Sequence, residues 1–151
     1  MNEGYLQMMR AVLVFAMLSF VQSLASEDLS RIEGVWLNED GDGWIELTIV
    51  SGTLTGSIAG SPQDPDNRNP PRLDDKNPDP ALRLRPLLGL TILAGFRHEA
   101  DGRWVGGQIY DPNSGKTYRG TITVLDDNTL DLRGYVGIAL FGRTETWRRR
   151  L

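Results

Sequence analysis

From Gly34 onward the chain alternates apolar and polar side chains in short runs, each cut off by Gly, Asp, Asn or Ser, a rhythm that fits strands and hairpins. Ile45, Leu47 and Ile49 oppose Trp44, Glu46 and Thr48, Tyr118, Ile122 and Val124 oppose Thr117, Arg119, Thr121 and Thr123, and Leu130, Leu132 and Val136 oppose Asp131, Arg133 and Tyr135. Each such strand has one dry face and one wet face. The pattern predicts strands over 34–38, 44–50, 53–59, 91–97, 103–110, 117–125, 129–136 and 139–148. Asp40-Gly41-Asp42-Gly43, Ser51-Gly52, Asp101-Gly102, Asn113-Ser114-Gly115 and Asp126-Asp127-Asn128 supply the turns between them. About eight antiparallel strands joined mainly by hairpins lose their exposed edges by closing on themselves. The expected fold is therefore all-β, a single small antiparallel up-and-down barrel. An interior of that size is either filled by side chains or holds one small ligand.

One connection breaks the rhythm. Residues 60–90 form a long, Pro-rich stretch without Gly between Ser61 and Leu88, too stiff for a flexible linker and too long for a passive turn. Asp79 is placed to cap a short helical turn with Pro80 in its first position, Ala81 to Arg85 continue it, and Pro86 stops it. A lid over one barrel mouth is the expected role. Asp64, Asp66, Asp74, Asp75 and Asp79 crowd this loop, yet it lacks the turn Gly and terminal Glu of a calcium loop, so turn formation is the preferred reading and no metal is expected.

The N-terminal stretch reads as an address. A polar and basic start leads into the apolar run Ala11 to Val21, too short for the roughly 20 residues a membrane helix needs, and Ser23-Leu24-Ala25 suits cleavage after Ala25. The expected organisation is a signal peptide over 1–25 and one barrel domain over 26–151, exported to the periplasm or beyond, with no transmembrane segment in the mature chain. Removing the leader takes away Glu3 and Arg10 and leaves the net charge at −4. Duplex nucleic acid, which demands a basic footprint, is a poor partner for it. Cys is absent, so thiol chemistry and disulfides are excluded. Catalysis through the single imidazole, His98, is weighed against an exposed residue at a strand end, and the latter is preferred. No catalytic constellation and no cofactor motif is legible.

Five blocks resemble a known family in their order: 77–89 (NPDPALRLRPLLG), 109–112 (IYDP), 115–118 (GKTY), 132–137 (LRGYVG) and 140–144 (LFGRT). They are similar to the bacterial domain of unknown function 2147 family, from Gly34-Val35-Trp36 to Trp147. The resemblance implies an exported protein with a lipocalin-like barrel and no assigned activity. Gly34 and Trp36 match the Gly-x-Trp of lipocalins, and the resemblance implies that Arg148 or Arg149 packs over Trp36. Many relatives carry Cys around Ser51 to Gly56 and at Leu88, which this chain lacks.

Candidate ligand-binding residues follow from face and type. Period two places Phe141, Arg143, Glu145 and Trp147 on one face of the last strand, and a charged pair among aromatics is either a polar anchor inside an apolar cavity, with Arg143 holding an acidic ligand, or a solvated cross-strand pair outside it. Tyr110, Tyr118 and Tyr135 recur near strand positions and either direct hydroxyls at a ligand or simply pack. Arg83 and Arg85 either face an acidic ligand at the mouth or pair with loop aspartates. The expected function is binding or carriage of a small apolar or amphipathic molecule by a monomer, without catalysis. The alternative is a side-chain-filled barrel that docks an envelope protein.

Overall fold

The computed structural model describes residues 29–151. The leader and its cleavage site lie outside those residues. Leu29 and Ser30 are helical and belong to a separate N-terminal unit, while residues 32–151 form one compact unit.

That unit is a closed barrel of eight antiparallel strands in sequence order. The strands are β1 (Gly34–Leu37), β2 (Trp44–Val50), β3 (Thr53–Gly60), β4 (Thr91–Ala100), β5 (Arg103–Asp111), β6 (Lys116–Asp126), β7 (Thr129–Tyr135) and β8 (Arg143–Arg149). β8 closes the circle on β1 through Trp36 opposite Arg149 and Leu37 opposite Arg148. The expected strands are all present. The last begins late, because Ala139–Phe141 forms a turn of 3-10 helix and Gly142, where a Cβ would stand 2.6 Å from the Gly134 carbonyl oxygen, leads into the strand. The helical turn in the long loop is also shorter than expected, Pro80–Leu82, with the Asp79 carboxylate accepting a hydrogen bond from the Ala81 N–H.

The two ends of the barrel differ. At the end bearing the β2–β3, β4–β5 and β6–β7 hairpins, Trp36, Leu47, Leu54, Phe96, Trp104, Ile122 and Leu130 are buried and fill the interior. Burying each such side chain is worth about 1.5–3 kcal/mol. Ile32 is buried at this end too, and its carbonyl accepts the Trp36 indole N–H at 2.9 Å.

Arg149, not Arg148, packs over Trp36, its guanidinium carbon 4.3 Å from the ring centre. Strand parity decides this: Trp147 points inward and is buried, so Arg149 shares its face and Arg148 points out. Arg149 donates to the carbonyls of Glu33 and Asp127 and so ties the end of β8 to the start of β1 and the β6–β7 turn. Gly34, at φ +126°, leaves room for it, since a Cβ there would stand 2.7 Å from the guanidinium. Arg149→Ala is expected to cost about 1–2 kcal/mol through the lost cation–aromatic contact and hydrogen bonds, and Arg148→Ala less than about 0.5 kcal/mol. Urea unfolding of the two variants checks this; equal losses would remove the assignment.

Candidate functional site

At the other end the interior is not filled. A cavity of about 1090 Å³ opens there, lined from all four loops at that end and by the inner wall beneath them. Its wall is mostly apolar: Ile45, Ile58, Leu93, Ile109, Leu132 and Trp147 lie deeper, with Leu87, Val136 and Phe141 nearer the rim. A row of glycines crosses the inner wall. Gly107 on β5 pairs with Gly120 on β6, which pairs with Gly134 on β7, so three neighbouring inward positions carry no side chain. Phe96 fills the space over Gly107, Ile109 leans over Gly120, and Gly134 is left on the cavity wall.

The long loop splits into a rim and a strap. Its first part, between Ser61 and Arg72, contributes Gln63, Asp64, Asn67 and Pro70 to the cavity mouth. Its second part is pinned to the outside of the barrel through Asp74, a carboxylate with no solvent exposure. Asp74 accepts hydrogen bonds from Asn77 Nδ2 at 2.7 Å, Arg85 Nε at 2.8 Å and the Tyr110 hydroxyl, while Arg85 Nη2 lies 2.7 Å away. Burial alone would raise the Asp74 pKa, but the hydrogen bonds from Tyr110, Asn77 and Arg85 and the charge of Arg85 outweigh it and hold the carboxyl below the usual carboxylate range. Burial and the neighbouring Asp74 push the Tyr110 hydroxyl above its ordinary value. At Gly115 the strap passes so close that a Cβ would stand 2.0 Å from the Lys76 carbonyl oxygen.

The sequence candidates fall into three groups. Glu145, Arg143, Tyr118 and Tyr135 all line the cavity, so the charged face of β8 points inward. Glu145 is half-buried, its Oε2 accepting the Trp147 indole N–H at 3.2 Å; Arg143 sits at the rim, 3.3 Å from Glu39 and 3.8 Å from Glu145. Tyr110 borders the cavity but turns its hydroxyl to Asp74. Arg83 and Arg85 do not line the cavity: Arg83 donates to the Asn77 carbonyl at 2.8 Å and Arg85 to Asp74, which makes them part of the strap. Arg85 and Tyr110 also border a smaller depression of about 340 Å³ on the outer wall. His98 lies away from the cavity on β4, half-buried and edge-on to Trp104 at 5.2 Å between ring centres.

Sequence reasoning missed Asp74 as a structural centre and Gly134 as a cavity wall. The signal for the second was present, since Gly107, Gly120 and Gly134 recur at inward positions of consecutive strands. It missed as well that the mouth carries an exposed apolar tip: Val136, Ile138, Leu140 and Phe141 are between 61% and 78% exposed. Among the described residues no helix is long and apolar enough to cross a membrane.

The chain matches the family model described as "Uncharacterized protein conserved in bacteria (DUF2147)" over residues 34–149. Among solved structures it is similar to protein HP1028 from the human pathogen Helicobacter pylori, described as belonging to the lipocalin family. The two are 21% identical with a TM-score of 0.72, over 80% of this chain and 83% of that one, and the likeness shows a lipocalin-like fold. No curated protein matches the sequence.

Proposed function

This chain belongs to the DUF2147 family of proteins conserved in bacteria, and on that footing we propose that it is an exported carrier that binds a small apolar or amphipathic molecule in the open end of its barrel, without bond chemistry. The observation that carries the reading is the cavity. At about 1090 Å³ it is slightly larger than the usual small-molecule site, and it joins an apolar wall to polar groups at the mouth. The wall supplies most of the affinity, and Glu145, Arg143, Tyr118 and Tyr135 set the orientation of the ligand. The rim portion of the long loop controls access, while the strap holds it in register with the barrel. The leader and a lipocalin-like fold suit an envelope or extracellular protein.

Native mass spectrometry of the mature protein from its host's envelope tests this. The expected result is a native mass a few hundred daltons above the denatured one; a clean apo mass from every preparation would count against carriage. A plug gives a second test. A Cβ at Gly134 would find only the Ile109 side chain at 3.5 Å and the Tyr118 Cβ at 3.8 Å, which is ordinary contact. Gly134→Phe is therefore expected to fold with stability within about 1 kcal/mol of the parent and to lose at least about tenfold in ligand affinity. Retained affinity would place the ligand elsewhere.

The exposed apolar tip at Val136 to Phe141 favours a second reading, a protein partner docking at the mouth. Crosslinking from an engineered residue at Leu140 in the host envelope separates the two, since only docking yields a defined protein adduct.

A further inference from the structure

We infer that the ligand of this cavity carries a cationic head of the alkylammonium type, received by Glu145. The inference rests on the carrier reading above and gives it a ligand class. The ionisable side chains on the cavity wall are mostly acidic: Asp40, Asp42, Asp64, Asp111 and Glu145, against Arg72 and Arg143. Three of the aspartates are occupied with their own turns. Asp42 accepts from Asn38 Nδ2, Asp64 from the backbone N–H groups of Arg68 and Asn69, and Asp111 from the Asn113 N–H and the Ser114 hydroxyl.

Glu145 is different, because it belongs to the wall of the barrel. It stands on β8 opposite the buried Leu132 and two residues from the buried Trp147, with its side chain only 32% exposed. The Trp147 indole N–H occupies Oε2 at 3.2 Å. Oε1 lies 3.8 Å from the Arg143 guanidinium, beyond hydrogen-bond length, and so keeps room for a donor from the cavity side.

Arg143 does not reverse this field. Its side chain is 70% exposed, it pairs with Glu39 at 3.3 Å, and Glu145 and Asp40 act on it as well, so three carboxylates share one guanidinium. An acidic head at that corner would meet net negative charge. An ammonium head adds a charge-assisted hydrogen bond to Glu145 Oε1 in surroundings of low polarity, while its alkyl chain lies along Leu132 and Ile109.

Calorimetric titration at pH 7.5 with dodecylamine, dodecanol and dodecanoate, each below its micelle concentration, is the test. Dodecylamine is expected to bind about tenfold tighter than dodecanol, and dodecanoate more weakly than either. Glu145→Gln should abolish the preference for dodecylamine over dodecanol, with its melting temperature reporting that the barrel is intact. Dodecanoate binding as tightly as dodecylamine, or equal amine and alcohol affinities, overturns the head-group assignment alone. Failure of all three probes to bind overturns the carrier reading and this inference with it.

Discussion

Replacing Asp74 with Ala is expected to lower the stability of the barrel by about 3 kcal/mol and its melting temperature by roughly 10 °C at pH 7. The substitution takes the shared acceptor from Tyr110, Asn77 and Arg85 at once, leaving the guanidinium without its carboxylate and Asn77 Nδ2 with only the Tyr110 hydroxyl at 3.0 Å. The figure sits at the low end for a broken buried pair, because the Arg85 side chain is 35% exposed and water can take up part of its charge. The loss should also carry a pH dependence. Asp74 is held below the range of an unfolded carboxylate, near 3.9, so the folded state binds fewer protons there than the unfolded one. Its contribution is complete above about pH 5 and disappears as the pH falls through the lowered folded value. Parent and Asp74→Ala melting temperatures should therefore differ at pH 7 and converge toward pH 2. Tyr110 runs the other way: its raised pKa gives a contribution present below about pH 10 and lost as the pH rises through the folded value. Thermal melts of both proteins across pH 2–8 check the first claim, and equal melting temperatures at pH 7 would refute it. Proteolysis between Arg72 and Leu87 should appear in the variant before the strands are cut, because the strap is released first.

The strands were legible because alternation is local: Trp44 to Val50 shows its dry and wet faces within seven residues. The chemistry of the strap was not, because its centre is a contact between residues 36 positions apart. Nothing near Asp74 in the sequence distinguishes it from Asp75, which points out and stays beside Lys76 at 3.4 Å. Both read as turn formers, and only the arrival of Tyr110 from β5 separates them.

The site lies between these cases. Face periodicity put Arg143, Glu145 and Trp147 together, and they do share the inward face of β8. It could not give depth, which the closure of the barrel decides: Trp147 is buried, Glu145 half-buried and Arg143 at the rim. The same limit explains the exchange of Arg148 for Arg149. A run of three arginines at 148–150 carries no composition signal, and the inward one is fixed by counting two residues from Trp147. Arg150, next along, still pairs with β1 through its backbone N–H to the Val35 carbonyl at 2.8 Å, and its guanidinium lies over the Trp44 ring at 3.6 Å.

Gly107→Ala is expected to cost about 3 kcal/mol, a large response to one methyl group. A Cβ at this position would stand 2.2 Å from a Phe96 ring carbon, with two more ring carbons within 2.4 Å. Phe96 is fully buried and has no open space to retreat into, since its far edge already faces Gly120. The cost should fall when the ring is made smaller. Phe96→Leu alone loses about 1–2 kcal/mol of buried area, but combined with Gly107→Ala the total should be at least about 1 kcal/mol less than the sum of the single losses. Urea unfolding of the four proteins closes the cycle, and strict additivity would mean that the ring does not rest on Gly107. The same packing separates the closed end of the barrel from the open one. Phe96 occupies the space over the first glycines of the row, and Gly134, the next of them, faces the cavity.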